Sequence, residues 1–338
     1  MATSRTRRVT LKEVARMSQV SLAVAWVVLN DRKDQNVRCS EATRARVLSV
    51  AEQLGYRPNR TVANFRRKQH GTIGLLVRHF EVIPHRLVPA LIKAARKHDQ
   101  LVVVEPHSEG EPWPKIVQED CVDGVILFED VETDLLNRIQ RLPVSLVQVN
   151  TSQRDGQGCI TYDEEQATQL AVEEFARDGR QQVVFHVAAR YSNHYSIESR
   201  FRGLANACEQ AGLAPPLRFD WSPKDEDGFI KWLNRYPSVD GVLLYTDRAA
   251  IRLYDELRAA GRKIPDEISV IGFNDTLASQ CVRPALTSLS VDAEKVAEEA
   301  VRMLNGLIGG KAMVRHAVMP YQLKRRASTG CPLLQAVK

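Results

Sequence analysis

No apolar run in this chain of 338 residues approaches the ~18 residues a helix needs to span a bilayer, which argues against a helical membrane protein. The opening stretch MATSRTRRVTLKEV is basic but has no uninterrupted apolar segment ahead of a small-residue cleavage site. The expected location is therefore the cytoplasm. Six cysteines (Cys39, Cys121, Cys159, Cys208, Cys281 and Cys331) lie scattered, with no CxxC pair and no histidine at ligand spacing. They read as reduced thiols, and no metal site is expected. Catalytic signatures are missing as well: there is no G-x-S-x-G, no H-E-x-x-H and no G-x-G-x-x-G after a strand. NGLIGGKA at 305–312 fails as a phosphate loop, with Asn305 in place of the first glycine and Ala312 in place of the hydroxyl. An enzyme is not expected, and neither is a cofactor.

What the chain does have is an uneven charge. Residues 1–72 hold 15 Lys+Arg against 5 Asp+Glu, whereas the remainder holds 32 against 36. All the excess basicity therefore sits in the first fifth of the chain. A solvated face could carry such a bias, but a compact basic module on an acidic body favours a polyanionic partner.

Three short helices are legible before residue 60. Thr10 followed by Glu13 is a capping box, and a first helix runs from there to about Met17 with Leu11, Val14 and Ala15 inward. SQV makes a turn, Ser21 caps a second helix, and Asn30 ends it. Ser40 caps a third helix, EATRARVLSVAEQL, which Gly55 stops and Pro58 prevents from resuming. Two short helices joined by a three-residue turn within a three-helix unit form a helix-turn-helix pattern.

After NRTVANFRRKQHG the texture changes. TIGLLV, LVVVE, GVILF, VSLVQV, VVFHV, GVLLY and ISVIGF are continuous apolar runs alternating with helix-period stretches. Such runs indicate parallel sheets covered on both faces, and the span 72–330 is long enough for two α/β lobes. VNTS near 149–152 and ALTSLS near 285–290 look like crossovers between those lobes, acting as hinge strands. The expected organisation is a headpiece at 1–58, a hinge helix or linker at 59–71, a two-lobed core at 72–330 and a tail at 331–338. The tail is too short for heptads, so no tetramer-forming coiled coil is expected.

VTLKEVARMSQVSLAVAWVVLN, SEATRARVLSVAEQLGYRPN, TIGLLV, PDEISVIGFND, PALTSL and RRAST occur in order from about residue 9 to 330. Together they resemble the lac repressor/galactose repressor family of bacterial transcription regulators. The resemblance implies an all-α helix-turn-helix headpiece, a hinge helix, and a two-lobed core similar to periplasmic binding proteins. It also implies a homodimer on a palindromic double-stranded DNA operator, with affinity modulated by a small effector, often a sugar.

Residue roles follow the same resemblance. Thr10, Ser21, Asn30 and Tyr56 fall at headpiece positions near DNA, while Asn59 and Arg60 position the backbone at the hinge start. Thr10 also caps its helix and Tyr56 also packs, whatever the function. Phe65 takes the place of a leucine that wedges into the minor groove, and phenylalanine can unstack a base step. The second helix departs from the family pattern: its outward stripe is Leu22, Ala23, Trp26 and Val27, and it has no arginine to read guanine. Three roles are open to the stripe. It could meet thymine methyl groups, bury against a partner or the protein's own core, or mark a headpiece that no longer reads DNA specifically.

In the core, the resemblance places Arg200 of RFRG as a clamp on ligand hydroxyls and Trp221 of DWS as a stacking ring or a packing residue. Asp247 of YTDR and Asn274 of GFND take ligand positions, and Arg78 and Phe80 stand at the crevice mouth. A free sugar receptor is the remaining rival, set aside by the basic headpiece.

Overall fold

The computed structural model describes residues 9–30, 39–58, 64, 69–78, 86–108, 110–152, 158–188, 194–222, 228–310 and 316–330. The chain divides into one unit over Met1–His70 and a second over Gly71–Lys338.

The first unit contains α1 (Leu11–Met17), α2 (Leu22–Leu29) and α3 (Glu41–Gln53). Each begins at a hydroxyl cap. Thr10 forms the full capping box with Glu13, Ser21 accepts from the Val24 amide, and Ser40 accepts from the Thr43 amide. These bonds satisfy amides that a helix start leaves without partners. Val14, Ala15, Ala25, Val28, Val47 and Ala51 form the core. Gln19 turns the chain between α1 and α2 in a left-handed conformation, φ 54°. A glycine would hold that conformation without steric cost. The turn is pinned by Arg46 of α3, whose Nε donates to the Ser18 carbonyl at 3.0 Å.

The second unit begins with β1 (Thr72–Val77), α4 (Leu87–Arg96), β2 (Leu101–Pro106), α5 (Lys115–Gln118), β3 (Gly124–Phe128), α6 (Thr133–Arg141), β4 (Ser145–Val149) and β5 (Gly158–Tyr162). It continues with α7 (Glu164–Arg177), β6 (Val183–Ala188), α8 (Tyr195–Ala211), β7 (Leu217–Trp221), α9 (Gly228–Arg235), β8 (Gly241–Leu244), α10 (Ala249–Ala259), β9 (Ser269–Phe273), α11 (Leu277–Cys281) and β10 (Thr287–Val291). It ends with α12 (Ala293–Ile308), β11 (His316–Met319) and β12 (Tyr321–Lys324).

Two sheets result, ordered β2-β1-β3-β4-β5-β11 and β7-β6-β8-β9-β10-β12. Each reverses its order beside its first strand, between β1 and β3 or between β6 and β8, and such a switch point opens a crevice at the carboxyl ends of the strands. Inner strands are covered on both faces: β3, β5 and β9 are buried at every position. Helices lie close against the sheets, and at Gly124 an added Cβ would stand 2.8 Å from Leu304 of α12.

The chain passes between the sheets three times: from β5 through α7 to β6, from β10 through α12 to β11, and from β11 directly into β12. The crossovers therefore do not lie at 149–152 and 285–290 as expected. β4 and β5 are neighbours in one sheet, and residues 287–290 belong to β10. The first segment lies at the carboxyl end of β4, and the second leads into β10. Among the described residues, β12 is the one strand that is not parallel; it pairs antiparallel with β10. It continues from β11 through Pro320 alone, so a strand running toward the crevice in one sheet runs away from it in the other.

Candidate functional site

In the first unit, α2 buries Ala25, Val27 and Val28, leaves Trp26 and Leu29 half-buried, and exposes Ala23 and Leu22, the latter at 46%. Asn30 closes the helix, its Nδ2 donating to the Trp26 carbonyl at 2.7 Å. The outward face of α2 is thus apolar at its first turn. The described cations of this unit, Lys12, Arg16, Arg44, Arg46 and Arg57, lie on or beside the other helices.

In the second unit, polar side chains gather at the carboxyl ends of the strands. Glu129 follows β3, Asn150 follows β4, and Asn274 and Asp275 follow β9; all four have positive φ, at 72°, 58°, 91° and 45°. Non-glycine residues rarely hold this conformation, and clusters of it occur at ligand sites. The Tyr195 hydroxyl, at the start of α8, donates to Asn150 Oδ1 at 3.0 Å. Asn150 Nδ2 in turn donates to Glu129 Oε1 at 3.5 Å. Burial pushes the Glu129 carboxyl up to about 7, against the pull of Arg78, while Asp130 adds to the rise. Burial also brings the neighbouring His194 down to about 4, so its ring is neutral at physiological pH. Its Nδ1 meets Ser196 Oγ at 2.7 Å, and Ser196 Oγ meets the Tyr245 hydroxyl at 3.1 Å.

Behind this row lies a buried ion pair. Arg200 of α8 donates from Nε and Nη2 to Glu164, from Nη2 to the Tyr321 hydroxyl at 3.0 Å, and from Nη1 to the Tyr245 carbonyl at 3.1 Å. Its guanidinium also stacks over Phe273 at 3.7 Å. Glu164 opens the first passage between sheets and Tyr321 closes the third, so Arg200 fastens two connections of the hinge. On the α10 side of the second sheet, His186, Trp221, Thr246, Arg252 and Glu256 help line a cavity of about 190 Å³, with Arg252 4.4 Å over the Trp221 ring.

A family model described as bacterial regulatory proteins, lacI family, matches residues 10–59. A periplasmic binding protein-like domain matches residues 172–329. The chain is 27% identical to the HTH-type transcriptional regulator RegA of Clostridium saccharobutylicum, with 94% of this chain and 98% of that one covered. It is 26% identical to the HTH-type transcriptional regulator GalR of Escherichia coli, with 97% of each covered. The chain belongs to the lacI family of bacterial regulatory proteins. The fold of this lacI-family chain matches that of the lac repressor dimer bound to operator and the anti-inducer ONPF, with a TM-score of 0.71 at 22% identity over 96% of this chain and 99% of that one. It likewise matches the transcriptional regulator CelR–cellobiose complex, with a TM-score of 0.67 at 21% identity over 95% and 100%.

Several expected positions of this lacI-family chain need correction. Val27 is 4% exposed, so it leaves the exposed stripe, although it is not one of the residues that form the headpiece core. Asp247 is fully buried: Oδ2 accepts from the Thr276 amide and Oδ1 from Ser288 Oγ, each at 2.6 Å, which ties β8 to the segments after β9 and in β10. It is a structural carboxyl and does not face a ligand. Arg200, expected as an open clamp, is already held by Glu164, Tyr321 and Tyr245.

Other expected positions keep their surroundings. Thr10, Ser21, Leu22 and Ala23 are exposed, Tyr56 packs half-buried against the headpiece core, Arg78 is exposed after β1, and Asn274 is half-buried at the crevice. Trp221 is partly buried against its lobe. Asn59, Arg60, Phe65 and Phe80 lie outside the described residues. Sequence reasoning missed Glu129, Asn150 and Tyr195. The available signal was a polar residue directly after a wholly apolar strand, as in GVILF-ED and VSLVQV-NT.

Proposed function

We propose that this lacI-family regulator binds a palindromic DNA operator as a homodimer through its basic headpiece. A small carbohydrate bound between the lobes would tune that grip, with no cofactor and no catalytic step, in the cytoplasm. The observation that carries the reading is the row Glu129–Asn150–Tyr195, where polar groups from both lobes meet at the carboxyl ends of strands. A small molecule seated there contacts both lobes at once, so closure and ligand affinity are coupled. The relatives' names support the same assignment: two are transcriptional regulators, one solved neighbour is a dimer on operator, and another holds cellobiose. In the headpiece, phosphate contacts supply most of the affinity and Leu22 and Ala23 offer apolar contact to thymine methyls. Thr10, Ser21, Trp26, Asn30, Tyr56, Asn59, Arg60 and the Phe65 wedge are assigned to the operator, and Arg78, Phe80, Trp221 and Asn274 to the effector.

The test is selection of bound fragments from the source genome by the full-length protein at fixed salt, with and without candidate sugars. Recovery of a palindromic motif whose occupancy changes with one sugar is expected. Absence of any salt-sensitive binding to duplex DNA would remove the reading.

A second reading has one observation in its favour. The exposed start of α2 holds no side chain that donates to a base edge beyond Ser21, so the headpiece could engage a protein instead. The same selection separates the two, because a headpiece without specific reading returns no motif.

A further inference from the structure

The hydrogen bonds at the crevice run in one direction. Tyr195 donates its hydroxyl to the Asn150 oxygen, and the Asn150 amide donates to Glu129, so the relay ends on a carboxyl group whose ionised form can only accept. Its last bond is long, at 3.5 Å, and among the described residues it is the one hydrogen bond the Glu129 side chain makes. The neighbouring carboxylate is better served: Asp130 accepts from Thr151 Oγ1, from the Ser152 amide at 3.1 Å and from Ser152 Oγ at 3.0 Å.

Cations near Glu129 do not settle its charge. Arg200 is held by Glu164, and Arg78 is exposed to solvent, where water screens its pull. His194 is neutral, and Tyr162, Tyr195 and Tyr245, whose hydroxyls burial holds protonated, bring no positive charge. Among the described residues, Glu129, Asp130 and Glu164 are set against Arg78 and Arg200, so with Glu129 ionised this group carries one negative charge in excess. A buried carboxylate with one weak donor lacks what a ligand can bring, namely a strong donor with positive charge.

We infer that the effector of this regulator carries a protonated amine that docks on Glu129, with an amino sugar as the simplest member of that class. The inference rests on the crevice being the effector site. It narrows the ligand from any carbohydrate to one whose ammonium donates to the Glu129 carboxylate and relieves its isolation.

The experiment is calorimetric titration of the full-length protein at neutral pH with glucosamine and galactosamine, their parents glucose and galactose, and the non-carbohydrate diamine putrescine. Wild type is compared with Glu129→Gln, an isostere whose fold is checked by its melting curve. An amino sugar is expected to bind at least about tenfold tighter than its parent, since a charge-assisted bond replaces a neutral one. In E129Q that preference is expected to vanish. Binding in two buffers of different ionisation heat is expected to show proton release by the wild type alone, because the ammonium draws Glu129 into its charged form.

Equal binding of amino sugar and parent, or a preference that survives in E129Q, overturns the inference and leaves the carbohydrate reading intact. Binding of putrescine but no sugar, with the same loss in E129Q, upholds the amine and removes the carbohydrate. Binding of none of the amines overturns the inference.

Discussion

The Tyr195 hydroxyl and the Asn150 side-chain oxygen stand 3.0 Å apart, one at the start of a helix in the second lobe and the other at the end of a strand in the first. This bond holds the lobes at the point where a ligand would enter. It is a contact between the lobes, and a double-mutant cycle can weigh it. Tyr195→Phe and Asn150→Ala, singly and together, should show a coupling of about 1 kcal/mol in urea denaturation of the ligand-free protein, the usual worth of a neutral hydrogen bond. Strictly additive effects would show that the lobes do not meet there in solution.

Arg200 and Glu164 form the second lock, deeper in the hinge, and both are nearly fully buried. Removing one partner leaves a buried charge without its counter-ion. Arg200→Ala should therefore destabilise the core by about 3–5 kcal/mol, while a double replacement by apolar residues of similar volume should recover much of the loss. Urea midpoints of the single and double variants check this. A single-variant loss below about 1 kcal/mol, the scale of exposed pairs, would mean that the pair is solvated.

How far the sequence foretold these locks depends on what each residue does locally. Helix caps are local events, and Thr10, Ser21 and Ser40 were legible because a hydroxyl bonding an amide three residues on needs no distant partner. Buried strands were legible from GVILF and its kind, since two covered faces demand apolar side chains throughout. Passages between lobes were not. VNTS reads as polar whether the chain leaves the sheet or merely reaches its edge. Two of the three true passages begin at Asp163 and Asp292, N-caps of α7 and α12, whose side chains say only that a helix starts. The fate of Asp247 was equally hidden. A carboxyl after a strand looks like a ligand group until Ser288 and the Thr276 amide, distant in sequence, close over it.

Glu129 also sets a pH dependence. Its folded value near 7 lies above the ordinary carboxyl value of 4.5, so the folded state binds more protons than the unfolded state between those limits. Stability from this group is fully present below about 4.5 and is lost as pH rises through about 7. Asp247, also raised to about 7 by burial, has the same sign, whereas His186 and His194, lowered to about 4, have the opposite sign over the range 4 to 6.5. The comparison must therefore be with E129Q, which removes one contribution and leaves the others. The stability of E129Q relative to wild type should rise between pH 5 and 8, by at most about 3 kcal/mol. Parallel melting curves across that range would show that Glu129 titrates normally.

The headpiece offers a sharper separation, because Val27 and Leu22 sit on one helix with opposite exposure. Val27 is 4% exposed and Leu22 46%. Truncating the buried side chain opens a cavity and should cost the headpiece about 1–3 kcal/mol, with DNA binding lost only to the extent that the unit unfolds. Truncating the exposed one should leave stability within about 0.5 kcal/mol, as surface changes do. If Leu22 rests on thymine methyls, Leu22→Ala should weaken operator binding several-fold and leave the slope of affinity against salt unchanged, since no phosphate contact is removed. Arg57→Ala should behave the other way, lowering the slope by about one if Arg57 meets a phosphate. Mobility shifts over a salt series on one operator distinguish the two behaviours. Leu22→Ala binding every fragment as wild type does would place that side chain outside the groove.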